Sequence, residues 1–117
     1  MQKCLPWEYP RKENYLRGIS VNPANPRKIL LSFGDFTPGT SGAIAQSDDF
    51  CKSWKLLPLP QEPNSTMWTF GTNSDDPNIV FAASRYGYLY RSDDGAQSWT
   101  KLRRELSEIA AVCWLPN

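Results

Sequence analysis

Two stretches decide how this chain is read: Gln46-Ser47-Asp48-Asp49-Phe50-Cys51-Lys52-Ser53-Trp54 and Arg91-Ser92-Asp93-Asp94-Gly95-Ala96-Gln97-Ser98-Trp99. They stand 45 residues apart and share Ser, Asp, Asp, Ser and Trp in register. An internal repeat of that period is the length of one four-stranded propeller blade, a supersecondary unit that buries its faces by stacking on neighbours.

Working outward, the register extends upstream. Asn22-Pro23-Ala24-Asn25-Pro26-Arg27-Lys28 feeding Ile29-Leu30-Leu31 parallels Asn73-Ser74-Asp75-Asp76-Pro77-Asn78 feeding Ile79-Val80-Phe81. Each is a polar turn running into an aliphatic strand. Gly42-Ala43-Ile44-Ala45-Gln46 likewise parallels Gly87-Tyr88-Leu89-Tyr90-Arg91. Between Pro26 and Ser47 the first copy takes 21 positions where the second, from Pro77 to Ser92, takes 15, and the excess falls between Phe33 and Ser41. The pattern predicts strands over residues 16–22, 29–33, 43–47 and 53–57 in the first copy. In the second it predicts 68–72, 79–83, 88–92 and 98–102. Ile109-Ala110-Ala111-Val112-Cys113-Trp114-Leu115-Pro116 aligns with residues 16–23 and predicts a further inner strand. Residues 1–12, with Trp7 and Tyr9, read either as the outer edge of a preceding unit or as a covering arm.

Composition agrees with many short strands joined by turns. The 117 residues include five each of Trp, Tyr and Phe, ten Pro and seven Gly, with 40% hydrophobic and 21% charged residues. Those proportions are globular and fit one domain. A net charge of +1, with Lys101-Leu102-Arg103-Arg104 as the densest basic cluster, gives no stripe for phosphates, so no nucleic-acid partner is expected. No stretch has the length and apolarity of a membrane span or of a signal-peptide core, so no membrane partner is expected and a soluble, cytoplasmic chain is the default. Cys4, Cys51 and Cys113 match neither a disulfide framework nor a zinc spacing, and neither a metal nor a cofactor is expected. Asn64-Ser65-Thr66 is a formal glycosylation sequon. Histidine is absent, which removes the commonest general base and triad partner.

The recurring pattern Ser-x-Asp-x-Gly-x-Ser/Thr-Trp resembles the Asp box, or BNR repeat, found in sialidases, sortilin-like receptors and bacterial glycosyl-hydrolase-like propellers. The likeness runs from about Tyr15 onward, and the tail from Gly87 looks like a final blade. It implies an all-β fold of two four-stranded antiparallel blades, at about 15–60 and 67–106, plus an orphan strand at 109–116. Such a partial propeller would be one domain. The resemblance also implies structural roles, at the rim, for Ser47, Asp49, Trp54, Ser92, Asp94 and Trp99. The Asp carboxylate would accept N–H groups across the turn. Where the pattern asks for Gly, the chain has Cys51 and Ala96, with Gly95 one position early. The first turn is therefore expected to be more strained or differently shaped.

Sialidases of this fold distribute an arginine triad, a Tyr–Glu pair and an Asp acid/base over six blades. Here two blades are legible and the enzymes' Arg-Ile-Pro motif is missing, so no catalytic residue is assigned. The expected function is a non-catalytic binding or scaffold module for a protein or glycan. The alternative is a remnant or subunit of a glycoside-hydrolase-like, sialidase-like propeller. Ligands on this architecture meet the loops joining strands two to three and four to the next blade, which singles out Asp35, Phe36, Arg85 and Tyr86. Two blades leave sheet faces uncovered. Self-association into a ring, a longer propeller, and a two-sheet sandwich closed by residues 1–14 all remain open.

Overall fold

In the computed structural model, residues 15–114 are described. They form eight antiparallel strands and no helix: β1 (Tyr15–Val21), β2 (Ile29–Gly34), β3 (Gly42–Ser47), β4 (Lys55–Leu57), β5 (Met67–Thr72), β6 (Val80–Ser84), β7 (Leu89–Ser92) and β8 (Thr100–Lys101). Two four-stranded sheets result, in the orders β1-β2-β3-β4 and β5-β6-β7-β8. Among the described residues no helix is long and apolar enough to cross a membrane.

The two sheets share their register. Leu16 faces Phe33, Ile19 faces Leu31 and Val21 faces Ile29, just as Met67 faces Ser84, Phe70 faces Ala82 and Thr72 faces Val80. Each first strand carries an irregularity at the same place, between Leu16 and Gly18 and between Met67 and Thr69. The turns repeat as well. The Asn22 carboxamide oxygen accepts the N–H groups of Ala24 and Asn25, and that of Asn73 accepts the N–H of Asp75. These Asx turns reverse the chain before the aliphatic strand begins.

Alternation along the strands gives each sheet two faces. In the first sheet, one face carries Leu30, Ile44 and Leu57. Its other face carries Leu31, Phe33 and Ala45, with Ala43 and the half-buried Trp54 against them. The second sheet turns its counterpart of that latter face, carrying Val80, Ala82, Tyr90 and Trp99, onto Leu30, Ile44 and Leu57 of the first. The sheets therefore stack front to back, opposite faces in contact. Burying an apolar side chain of this size contributes about 1.5–3 kcal/mol, and Ile44, Met67 and Tyr90 are completely buried. The Tyr90 hydroxyl donates to the Gln61 carbonyl at 2.7 Å, so its polar end is satisfied, and burial pushes its phenol pKa up.

Two expectations need correction. The outer strands are shorter than predicted, because Ser53 and Ser98 are held in the turns by Asp49 and Asp94 and so cannot join the ladder. Residues 109–114 form no strand. They lie across the free face of the second sheet: a Cβ on Gly71 would come within 2.8 Å of Val112, and the Trp114 and Phe81 rings are tilted at 6.3 Å. A strand exists only by pairing, and no described strand pairs with this segment. Leu115 and Pro116, and the expected arm at residues 1–12, lie outside the described residues.

Candidate binding surface

Antiparallel connection puts the Asx turns and the Asp-bearing turns at one end of the sheets. The β2–β3 loop (residues 35–41), the β6–β7 turn (85–88) and the two connections that follow β4 and β8 lie at the other.

At the first end the two Asp turns are built alike. The Ser47 hydroxyl donates to Asp49 at 2.8 Å and accepts the Cys51 N–H at 2.9 Å; Ser92 does the same with Asp94 and the Ala96 N–H, at the same distances. The Asp49 carboxylate accepts the Ser53 N–H at 2.9 Å and its hydroxyl at 2.6 Å, as Asp94 accepts those of Ser98 at 2.9 and 2.5 Å. These bonds, led by the Ser53 and Ser98 hydroxyls, hold both carboxyls down at about 2. Every carboxylate oxygen is engaged within its own turn, which leaves these groups to structure. Phe50 and Cys51 stand at φ 56° and 69°, and Gly95 and Ala96 at 71° and 79°. The first turn is thus not differently shaped. It makes the same turn with two side-chain-bearing residues in the left-handed region where the second has one, and each such residue costs about 1–2 kcal/mol. Trp99 is buried in the shared core, while Trp54 is half-buried on the opposite face of the first sheet.

At the other end, the four candidate residues divide into two kinds. Asp35 braces its own loop: its carboxylate accepts the Thr40 N–H (2.9 Å), the Thr40 hydroxyl (2.8 Å) and the Ser41 N–H (3.1 Å). Burial draws this carboxyl upward, but those bonds outweigh it and set the group at about 2. Arg85 is also a brace. It lies over the Trp68 ring at 4.9 Å, donates to the Ile109 carbonyl at 3.2 Å and pairs with Glu108 at 3.2 Å. Phe36 and Tyr86 are different, being large aromatic side chains that are 67% and 41% exposed.

Asn64, Ser65 and Thr66 join the two loops, and sequence reasoning missed their role. The Thr66 hydroxyl donates to the Phe36 carbonyl, the Thr66 N–H to the Pro38 carbonyl at 2.9 Å, and the Thr66 carbonyl accepts the Arg85 N–H at 3.0 Å. The Ser65 hydroxyl accepts the Tyr86 N–H at 2.9 Å, and the Asn64 amide donates to the Tyr86 carbonyl at 2.9 Å. Ser65 and Thr66 are fully buried. The backbones of Phe36 and Tyr86 are thereby fastened to one rigid segment while both rings stay in solvent. Gly87, at φ 97°, completes the turn; a Cβ there would meet the Leu106 carbonyl oxygen at 1.6 Å.

A second concave surface runs along the open edges of β1 and β5. This groove, of about 510 Å³, is lined by Arg17, Ile19, Trp68, Phe70 and Ala110 among others, and Arg17 lies over the Trp68 ring at 3.9 Å. Among the described residues no three His, Cys, Asp or Glu side chains gather as a metal site would need. In comparisons with known proteins, no family model matches the chain and no curated protein does either.

Proposed function

We propose that this chain is a non-catalytic binding or scaffold module of the Asp-box propeller type, taking a protein or glycan at the end that bears Phe36 and Tyr86. The observation that carries the reading is two exposed aromatic rings on backbone held by the half-buried Asn64 and the fully buried Ser65 and Thr66. A flat aromatic face offers apolar contact to a sugar ring or a partner side chain at little conformational cost. Because the supporting backbone is already ordered, less freedom is lost on binding.

The glycoside-hydrolase-like alternative is less well supported. A glycosidase acid needs a carboxyl raised toward neutrality. Asp35, Asp49 and Asp94 are held the other way, at about 2, while Glu108 and Glu105 are paired with Arg85 and Lys101.

The test is a screen of the chain against immobilised glycans and a displayed peptide library, repeated with Phe36→Ala and Tyr86→Ala. Each substitution is expected to weaken the selected ligand about tenfold, since aromatic anchors of this kind are worth about 1–2 kcal/mol. Ligands that bind both variants as well as the parent, or turnover of an aryl glycoside abolished by removing one carboxylate, would overturn the reading.

A further inference from the structure

Lys101-Leu102-Arg103-Arg104, the densest basic cluster of the chain, runs into a stretch that the fold leaves open. Residues 103–108 are exposed one after another, the longest such run among the described residues. The Leu102 N–H donates to the Leu89 carbonyl at 2.8 Å and the Leu106 N–H to the Gly87 carbonyl at 3.0 Å. Between them, the backbone groups of Arg103, Arg104 and Glu105 make no hydrogen bond among the described residues, and neither arginine side chain is bonded or paired. The other described Lys and Arg residues are held. Arg17, Lys55, Arg91 and Lys101 belong to strands. The Arg27 and Lys28 N–H groups are tied to Asn25 at 3.1 and 3.0 Å, the Lys52 N–H to the Asp49 carbonyl at 3.4 Å, and the Arg85 N–H to the Thr66 carbonyl at 3.0 Å. A protease takes its substrate as an extended segment, so it cuts backbone that is both exposed and unbonded.

We infer that the Arg103-Arg104 pair is a processing site for a trypsin-like serine protease, and that the cut frees the chain from residue 105 onward from the second sheet. Water adds across the peptide bond that follows the arginine, leaving a carboxylate on it and an ammonium on the next residue, and no other reactant is consumed. The acidic specificity pocket of such a protease takes a guanidinium, and Arg103 and Arg104 both present one to solvent.

The released segment is a cover. Residues 109–114 lie over the second sheet, with Ile109 buried, Val112 against Gly71 and the Trp114 ring 6.3 Å from that of Phe81. Apart from the chain itself, few bonds hold it. The Leu106 and Ile109 N–H groups donate to the Gly87 and Arg85 carbonyls at 3.0 and 2.9 Å. The Arg85 guanidinium reaches the Ile109 carbonyl and Glu108 at 3.2 Å each, and the Asn73 amide reaches the Trp114 carbonyl at 3.2 Å. A tether keeps such a segment at an effective concentration of about 1 mM. Once cut, in micromolar protein, it is about a thousandfold more dilute, and these bonds no longer keep it in place. Its departure bares Gly71 and Phe81 and leaves the Arg85 guanidinium to the Trp68 ring. Cleavage is read without any ligand, so it holds or fails independently of the reading of Phe36 and Tyr86.

The experiment is limited proteolysis of the folded 117-residue chain with trypsin, with fragments identified by mass and rates compared for cuts within residues 15–114. The expected first cut follows Arg103 or Arg104. Gel filtration of the nicked chain at micromolar concentration then separates the peptide that begins at Arg104 or Glu105, and the fluorescence of an apolar dye rises as the sheet is uncovered. The Arg103→Gln, Arg104→Gln double variant keeps the circular dichroism of the parent and is cut within residues 15–114 at least about tenfold more slowly. Lys52→Gln is cut as the parent is. A first cut after Arg27, Lys28 or Lys52 would overturn the inference. So would a double variant cut as fast as the parent, or a nicked chain that keeps its terminal peptide through gel filtration with no rise in dye fluorescence.

Discussion

Replacing Cys51 with glycine should stabilise the chain, although it deletes a side chain. Cys51 has φ 69° in a turn whose hydrogen bonds are matched by those of the second Asp turn, where Gly95 and Ala96 hold the left-handed positions. A side-chain-bearing residue in that conformation costs about 1–2 kcal/mol. Glycine removes this cost but adds about 0.5–1 kcal/mol of unfolded-state freedom. The Cys51 N–H bond to Ser47 belongs to the backbone and survives the change. With the contacts of the half-buried Cys51 side chain lost as well, the net expected gain is about 0.5 kcal/mol, or about 2 °C in melting temperature for a domain of this size. Phe50→Gly gains less, because the Phe50 ring lies 5.7 Å from the Arg27 guanidinium and that contact is lost. Ala96→Gly provides the control. The Ala96 methyl is 1% exposed within the core, and losing it costs about 0.8 kcal/mol, which cancels the backbone relief. Urea titrations of the three variants beside the parent, at a concentration where the mass is constant, give the comparison. A Cys51→Gly chain less stable than the parent, or an Ala96→Gly chain stabilised as much as Cys51→Gly, would refute the reasoning.

Other outcomes follow from the same contacts. Asp35, Asp49 and Asp94 have folded-state values of about 2 against an ordinary 3.8, so their contribution is complete above pH 3.8 and is lost as pH falls toward 2. Acid titration of stability should steepen in that window, and Asp94→Asn should flatten it. Asn64→Ala removes the donor to the Tyr86 carbonyl and the acceptor for the Ser65 and Ser84 hydroxyls, and should cost about 1–3 kcal/mol in a denaturant melt. Gly87→Ala places a methyl against the Leu106 carbonyl at a positive φ and should cost about 3 kcal/mol or more, read as a lost or much earlier thermal transition.

The sequence made the sheets legible because the 45-residue repeat carries its turn chemistry with it. Asn22 and Asn73 each start an Asx turn, and Ser47-Asp49-Ser53 and Ser92-Asp94-Ser98 each close the turn between the third and fourth strands. Local residues make those bonds, so local sequence reveals them. Strand β4 was expected from Ser53 and begins at Lys55, because the same serine cannot serve both the carboxylate and the ladder. Residues 109–114 illustrate the opposite case. Their likeness to β1 was legible, and they lie on the second sheet as β5 lies on the first, yet strand formation depends on a partner that no local pattern reports.

The candidate site was legible as a set of loops but not as a set of roles. Asp35 and Arg85 stood out as charged loop residues, yet their charges are used on Thr40, Ser41, Glu108 and Ile109. Phe36 and Tyr86 are held by bonds to residues 30 and 21 positions away in the chain, Thr66 and Ser65, and that long-range pairing has no signature in spacing.

The central claim, that ligand meets the end bearing Phe36 and Tyr86, is tested most directly by amide chemical-shift mapping. The strongest hit from the glycan and peptide screen would be titrated into isotope-labelled chain. The account predicts that the largest shifts fall in residues 35–41, 64–66 and 84–88 and disappear in the Phe36→Ala, Tyr86→Ala double variant. Shifts centred instead on the β1–β5 groove at Arg17 and Trp68, or on the Asp49 and Asp94 turns, would contradict it.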